Sequence, residues 1–156
     1  MPGIIVGVDG SGHSQRALEW AMKEAALRRA PLTVLAVHEA VAGYFGGVPI
    51  YSDDPARTEA VRQAVQAETD KALAGLEGPH PESVTVTAVH GFPVEEIIKA
   101  GGDADMIVLG SRGVGGFNRL MMGSTAGLVD LLAPCPVLIL PPENHSCECA
   151  QGMRPW

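Results

Sequence analysis

A glycine-rich stretch at residues 110–126 has the residue types and spacing that point most clearly to chemistry. It reads Gly-Ser-Arg-Gly-Val-Gly-Gly-Phe-Asn-Arg-Leu-Met-Met-Gly-Ser-Thr-Ala and lies between an apolar run at 106–109 and a helix-like apolar run. Glycine lets the backbone approach an anion closely, and the free N–H groups of a helix N-terminus favour negative charge. Ser124 and Thr125 would lie at that N-terminus, where a hydroxyl can cap the helix or bind a phosphate. The stretch predicts a phosphate-binding loop.

The spacing within this stretch excludes two familiar phosphate loops. A P-loop ends in Gly-Lys-Ser/Thr, whereas this stretch ends in Met-Gly-Ser and contains no lysine. The dinucleotide pattern Gly-x-Gly-x-x-Gly is also absent. The pattern present is Gly-x2-Gly-x9-Gly-Ser, formed by Gly110, Gly113, Gly123 and Ser124. A flexible connector is the plain alternative, but the position after a buried strand and before a helix favours a binding loop.

Three charged residues could act with this loop. Asp9 follows the apolar run at 3–8, whose nearly continuous hydrophobicity is typical of a parallel strand buried on both faces. An Asp before Gly also commonly caps a turn, so a purely structural role for Asp9 is the alternative. Arg112 and Arg119 flank the loop and could meet phosphate oxygens, although arginines in exposed loops are usually solvated. We take Asp9 and Arg112 as candidate ligands of a phosphate-bearing molecule.

The elements that must position these residues alternate between strand-like and helix-like patterns. The predicted strands are 3–8, 32–37, 84–89, 106–109 and 137–140. The first predicted helix begins with Ser14 as N-cap and ends before Pro31. Three more lie within 61–76, from 94 to the Gly101-Gly102 pair, and within 125–132. Residues 40–57, rich in glycine and proline, predict a long loop. The alternation is typical of a doubly wound α/β sheet, which binds ligands at the carboxyl ends of its strands.

Composition limits the class of protein. The chain has 156 residues, 46% of them hydrophobic, and a formal net charge of −7. This length suits a single domain with a real core, and the negative charge argues against nucleic-acid and anionic-membrane partners. With no basic leader and no spanning apolar stretch, the sequence predicts a cytoplasmic protein. His145, Cys147 and Cys149 resemble a metal cluster in outline, but they lack a Cys-x2-Cys pair, so we predict no metal site from protein side chains alone.

The Gly-x2-Gly-x9-Gly-Ser pattern resembles the nucleotide-binding signature of the universal stress protein family. Further blocks that resemble this family follow in the family's order. They are Val8-Asp9-Gly10-Ser11 with the helix after it, Gly91-Phe92-Pro93, residues 105–113 and residues 134–141. The match covers about residues 3–141. We therefore predict one universal stress protein domain over 1–141 and a disordered C-terminal tail over 142–156.

This resemblance implies a fold and a ligand. The fold would be a five-stranded, parallel, doubly wound (Rossmann-like) α/β sheet of order 3-2-1-4-5 with helices on both faces. The strands ending at Asp9 and Gly110 would then flank the point where strand order reverses. The ligand would be ATP, with AMP or a cyclic nucleotide as alternatives. The nucleotide-binding residues indicated by the loop and the resemblance are Val8, Asp9, Val37, Gly110, Arg112, Gly113, Gly123, Ser124 and Thr125.

The resemblance also gives some of these residues separate roles. Asp9 would lie near the ribose and phosphates and could act through a bound Mg²⁺. Val8 and Val37 match nucleotide-contacting positions, with Val37 meeting the adenine through backbone groups. As side chains, both valines are typical of a core.

The implied function is that of an ATP-binding universal stress protein, a nucleotide-responsive regulator or stress-tolerance factor. The competing class is a slow ATPase or nucleotidyl-transferring α/β enzyme, in which Asp9 and Mg²⁺ would assist phosphoryl chemistry. A ligand-free dimerisation module is a third class. Because the loop has no lysine and no catalytic triad motif is visible, we expect a nucleotide to be held rather than cleaved. As in the family, we expect a homodimer through the apolar edge strand Val137, Leu138, Ile139 and Leu140.

Overall fold

The computed structural model describes residues 3–39, 41–51, 53–111 and 124–141, and strands alternate with helices along most of this part of the chain. The elements in chain order are β1 (Ile4–Val8), α1 (Gly12–Arg28), β2 (Leu32–His38), β3 (Val41–Phe45), β4 (Val48–Tyr51), α2 (Pro55–Ala74), β5 (Val84–His90), α3 (Pro93–Ala100), β6 (Met106–Gly110), α4 (Ser124–Leu132) and β7 (Val137–Leu140). A short 3₁₀ turn, Gly101–Asp103, follows α3. The predicted tail, 142–156, lies outside the described residues.

Five parallel strands form the main sheet in the order β5-β2-β1-β6-β7. This is the order 3-2-1-4-5 among the five predicted strands, so the predicted fold class is confirmed. β1 lies at the centre, where Ile4 is aligned with Leu32 on one side and with Met106 on the other. The strand order reverses at β1, between β2 and β6. The carboxyl ends of β1 and β6 therefore flank the position where sheets of this kind bind ligands.

Two apolar clusters cover the two faces of this sheet. Alternate residues of a strand point to opposite faces, so Val6 joins the cluster packed by α1 and α2, whereas Ile5 joins the cluster packed by α3 and α4. Leu18 and Met22 of α1 are fully buried in the first cluster, and Val129 of α4 is fully buried in the second. The helices thus lie on both faces, as predicted. None of the helices in the described ranges combines the length and apolar character needed to cross a bilayer.

The predicted long loop at 40–57 is wrong, because much of this segment forms an antiparallel hairpin. β3 and β4 pair with Phe45 opposite Val48. Gly46 and Gly47 connect them, with φ of 59° and 83°. Both values lie in the left-handed region, as in the two-residue turns that suit the twist of a hairpin. The density of glycine and proline indicated a loop, while the Gly-Gly pair between β-branched and aromatic residues was the signal for a hairpin.

The start of α1 also differs from the prediction, since Ser11 and not Ser14 is the N-cap. The Ser11 hydroxyl accepts a hydrogen bond from the Ser14 N–H at 3.2 Å. Ser14 lies one turn inside the helix, where its hydroxyl donates to the Ser11 carbonyl oxygen at 3.0 Å. Arg29, with φ of 54°, ends α1 in the left-handed conformation just before Pro31.

Candidate functional site

The carboxyl ends of β1 and β6 bring Asp9 and Gly110 to the same edge of the sheet. Val6 is aligned with Val108, so the two strands end side by side. The Asp9 carboxylate is exposed, and its Oδ1 accepts a hydrogen bond from the Ser11 N–H at 2.9 Å. This bond orders the turn that leads into α1. The turn-capping role of Asp9 is therefore present, and the residue also lies at the edge expected for a ligand.

Gly110 allows β6 to end against the first turn of α1. A Cβ atom at position 110 would lie 2.9 Å from the carbonyl oxygen of His13 and 3.0 Å from its carbonyl carbon. The neighbours are backbone atoms, so they cannot move aside by a change of rotamer. Gly110 therefore has a packing role, and the glycine spacing in the sequence did not reveal it.

The two valines matched to nucleotide-contacting positions point to opposite faces of the sheet. The side chain of Val8 is buried in the cluster beneath α1 and α2. The side chain of Val37 packs against the cluster beneath α3 and α4. A ligand at the carboxyl edge would therefore have to meet the backbone of at least one of them.

The start of α4 faces the same edge. β7 runs parallel to β6 and begins at Val137, opposite Ile107, so α4 must return the chain from the carboxyl edge to the amino edge. Ser124 and Thr125 open this helix, and Ser124 is exposed. Their end of the helix provides the N–H groups and the positive dipole end that an anion prefers. Arg112, Gly113 and Gly123 lie outside the described residues.

Three polar side chains at this edge were missed by the sequence reasoning. His38 ends β2 and His90 ends β5, and their ring centroids lie 5.6 Å apart. Ser111 follows β6 and donates its N–H to the carbonyl oxygen of Leu140 at 2.8 Å. Nδ1 of His38, Nε2 of His90 and Oγ of Ser111 are buried and have no hydrogen-bond partner among the residues that the structure describes. The repeated Val-His at the ends of two predicted strands was the available signal.

Among the described residues at this edge, metal ligands do not cluster. Within residues 3–39, 41–51, 53–111 and 124–141, no group of three or more His, Cys, Asp or Glu side chains is placed to hold an ion. His145, Cys147 and Cys149 lie outside these ranges. Asp9 is a single carboxylate, which fits the way Mg²⁺ is usually held, through one or two carboxylates together with nucleotide phosphates.

Sequence comparisons give a consistent family. The family model described as "Universal stress protein family" matches residues 2–141. A universal stress protein of Thermus aquaticus is 36% identical over 139 residues, covering 88% of this chain and 96% of the relative. A universal stress protein of Mycobacterium tuberculosis H37Rv is 32% identical over 144 residues, covering 88% of this chain and 47% of the relative. The chain thus spans about half the length of this mycobacterial relative.

Solved structures share the fold. The universal stress protein UspA from Lactobacillus plantarum superposes with a TM-score of 0.63 at 26% identity, covering 89% of this chain and 97% of that one. A universal stress protein solved in complex with cAMP superposes with a TM-score of 0.61 at 24% identity, covering 90% of this chain and 96% of that one. A universal stress protein from Archaeoglobus fulgidus, solved in complex with dAMP, superposes with a TM-score of 0.57 at 22% identity, covering 89% of this chain and 97% of that one. The strand order, the glycine pattern and these matches agree that the chain belongs to the universal stress protein family.

Proposed function

We propose that this protein binds an adenine nucleotide, with ATP as the expected ligand, and acts in the cytoplasm as a nucleotide-responsive regulator or stress-tolerance factor. The observation that carries the proposal is the alignment of β1 with β6, which brings Asp9 and Gly110 to one edge. The start of α4 faces the same edge and offers N–H groups to an anion. A negative phosphate chain would meet the helix end, and Asp9 would lie on the ribose side.

Two properties of the fold and the sequence support this ligand class. Relatives with this fold have been solved with cAMP and with dAMP, so the fold is able to hold an adenine nucleotide. Glycines at the spacing of Gly110, Gly113 and Gly123, followed by Ser124, would let backbone N–H groups approach a phosphate. When a Mg²⁺ ion is bound with the phosphates, Asp9 is the carboxylate that would hold it, and the ion would neutralise phosphate charge.

The assembly we propose is a homodimer through β7. This strand is at an edge of the sheet, so one row of its backbone N–H and C=O groups is unpaired within the described sheet. The neighbouring α4 exposes three large apolar side chains. Leu131 is 77% exposed, Leu132 57% and Leu128 47%. An apolar surface beside a free strand edge suits a second copy of the same chain.

The test is to identify and then measure the nucleotide. Mass spectrometry of nucleotide extracted from the undialysed protein should find an adenine nucleotide, and calorimetry should show binding of ATP. Gly113→Val and Gly123→Val should weaken binding about 10- to 100-fold, because a hydrogen bond to a charged group is worth roughly 1.5–3 kcal/mol. Arg119→Ala, in the same loop, is the matched control and should have little effect.

Two outcomes would contradict the proposal. If neither ATP, AMP nor cAMP binds the wild-type protein, the site at the β1–β6 edge does not hold a nucleotide. Several turnovers of ATP per second would place the protein among enzymes. We expect slow turnover instead, because residues 110–126 contain no lysine to stabilise a transferring phosphoryl group.

A further inference from the structure

His38, which is buried, and His90, which is partly exposed, form a pair at the carboxyl edge, on the side of the sheet covered by α1 and α2. They are directly aligned in the β2–β5 register, and their rings meet edge to face, with an interplanar angle of 61°. His38 is only 9% exposed. A charge on the His38 ring would be desolvated by burial, so this environment favours the neutral form of His38.

Thr58 is the hydrogen-bond partner of His38. Its Oγ1 lies 2.7 Å from Nε2 of His38, and its one hydroxyl hydrogen can be directed to the carbonyl oxygen of Asp54 at 3.2 Å. In that arrangement Nε2 of His38 carries the ring hydrogen and donates to Thr58. A second proton would then go to Nδ1, which is buried and has no partner among the described residues.

The charges around His38 oppose that second proton. Burial lowers the pKa of His38 most, followed by His90 on β5 and by Arg57 on α2, while Asp53 and Asp54 before α2 raise it by less. The pKa in the folded protein is therefore below the ordinary value of 6.5.

His38 also links the end of β2 to the first turn of α2. Thr58 lies in the first turn of α2, whose N-cap Asp54 accepts from the Ala56 N–H at 3.0 Å. The β3–β4 hairpin lies between His38, the last residue of β2, and Asp54, the N-cap of α2. The buried side chains of α2, Val65 and Thr69, lie farther along the helix. The His38–Thr58 bond thus holds the first turn of α2, and with it the base of the hairpin, against the sheet.

We propose that the His38–His90 pair is a proton-sensitive latch, which releases the first turn of α2 and the base of the hairpin when His38 takes up a second proton. The rest of the sheet stays folded. The latch depends on these two rings and Thr58, and it operates whether or not a nucleotide binds.

The sign of the effect follows from linkage. In the closed state the His38–Thr58 bond is made, and in the open state it is broken. Because the pKa of His38 is lowered in the closed state, His38 binds fewer protons there than in the open state, where its pKa has the ordinary value near 6.5. The closed state is therefore fully favoured above pH 6.5 and loses stability as the pH falls toward the pKa of the closed state. Each unit of difference between the two pKa values corresponds to a tenfold change in the opening equilibrium.

Hydrogen exchange on the full-length protein tests the latch. Amide protection at residues 56–60, corrected for intrinsic exchange, should fall between pH 7.5 and pH 5.0. The fall should approach tenfold for each unit by which the His38 midpoint, measured by NMR, lies below 6.5, with a ceiling of about 30-fold at pH 5.0. In His38→Gln the side-chain amide can still donate to Thr58 but does not titrate, so this fall should disappear. His80→Asn, at an exposed histidine, is the matched control and should behave as wild type.

Several results would overturn the latch. They are an NMR midpoint for His38 at or above 6.5, protection at 56–60 that does not change with pH, and an equal fall in His38→Gln. Stoichiometric zinc binding at pH 7.5 that is lost in His90→Asn would also overturn it, since the bare nitrogens would then be metal ligands. If His38→Gln does not fold, the midpoint and the wild-type protection profile still decide the question.

Discussion

Replacing Gly110 with alanine is a sharp test of the contact between β6 and α1. The new Cβ would lie 2.9 Å from the His13 carbonyl oxygen and 3.1 Å from the Cβ of His13. Atoms this close repel, and the nearest one belongs to the backbone of the first turn of α1. Relief requires a shift of the helix start or of the end of β6, both of which form the candidate site.

The cost can be estimated from the kind of neighbour. Inserting a methyl group into a well-packed site typically costs about 1–3 kcal/mol. The upper part of this range applies because no side-chain rotation removes the contact, so we expect roughly 2–3 kcal/mol. For a domain of this length, each kcal/mol lowers the melting temperature by about 2–4 °C. The melting temperature should therefore fall by roughly 4–12 °C.

Gly12→Ala is the matched control for this measurement. Position 12 is at the start of α1, and an added Cβ there meets nothing within 4 Å. This variant should be stabilised by roughly 0.5 kcal/mol, because alanine restricts the unfolded chain and favours helix. Thermal and urea unfolding should be measured without nucleotide, so that ligand binding does not contribute. If Gly110→Ala and Gly12→Ala unfold alike, the close approach of β6 to α1 is refuted.

Three other changes test separate features. Ser11→Ala removes the side chain that caps α1 and should cost about 1 kcal/mol in urea unfolding, whereas Ser11→Asp should retain most of the stability. Ile139→Lys places a charge on the edge strand and should convert the proposed dimer to a monomer in light scattering; a wild-type monomer, or a dimer unaffected by the change, would argue against β7 as the interface. Removal of residues 143–156 should leave folding, assembly and nucleotide binding unchanged, and stoichiometric zinc lost on truncation would show that the tail holds a metal.

The parallel sheet was predictable because its strands are short, buried apolar runs separated by amphipathic helices. The predicted strand at 137–140 coincides with β7, and the other four differ from the structure by one residue at most at each end. Their order came from the family resemblance, since periodicity alone does not specify which strands pair. The hairpin was missed because the high number of glycines and prolines in 40–57 was taken to indicate a loop. The position of Gly46-Gly47, between two strand-like segments, indicated a two-residue hairpin turn.

The site was predictable in part. Asp9 and Gly110 each follow a predicted strand, and adjacent parallel strands end at one edge, so their proximity follows from the order. The close approach of Gly110 to His13 depends on the distance between two elements, which no local pattern encodes. The pairing of His38 with His90 depends on the register of β2 and β5, and a shift of one residue would have turned one ring to the other face.

The pairing of β1 with β6 also has a consequence for synthesis of the chain. Ile4 and Met106 are about 100 residues apart, so β1 is made long before its second neighbour exists. At roughly 5–20 residues per second, β1 waits about 5–20 s on the ribosome with one hydrogen-bonding edge open. During that interval β1, β2 and β5 can form a partial sheet, whose exposed edge is open to wrong pairings. Overexpression of fragments that end before residue 106 should therefore yield aggregation-prone material.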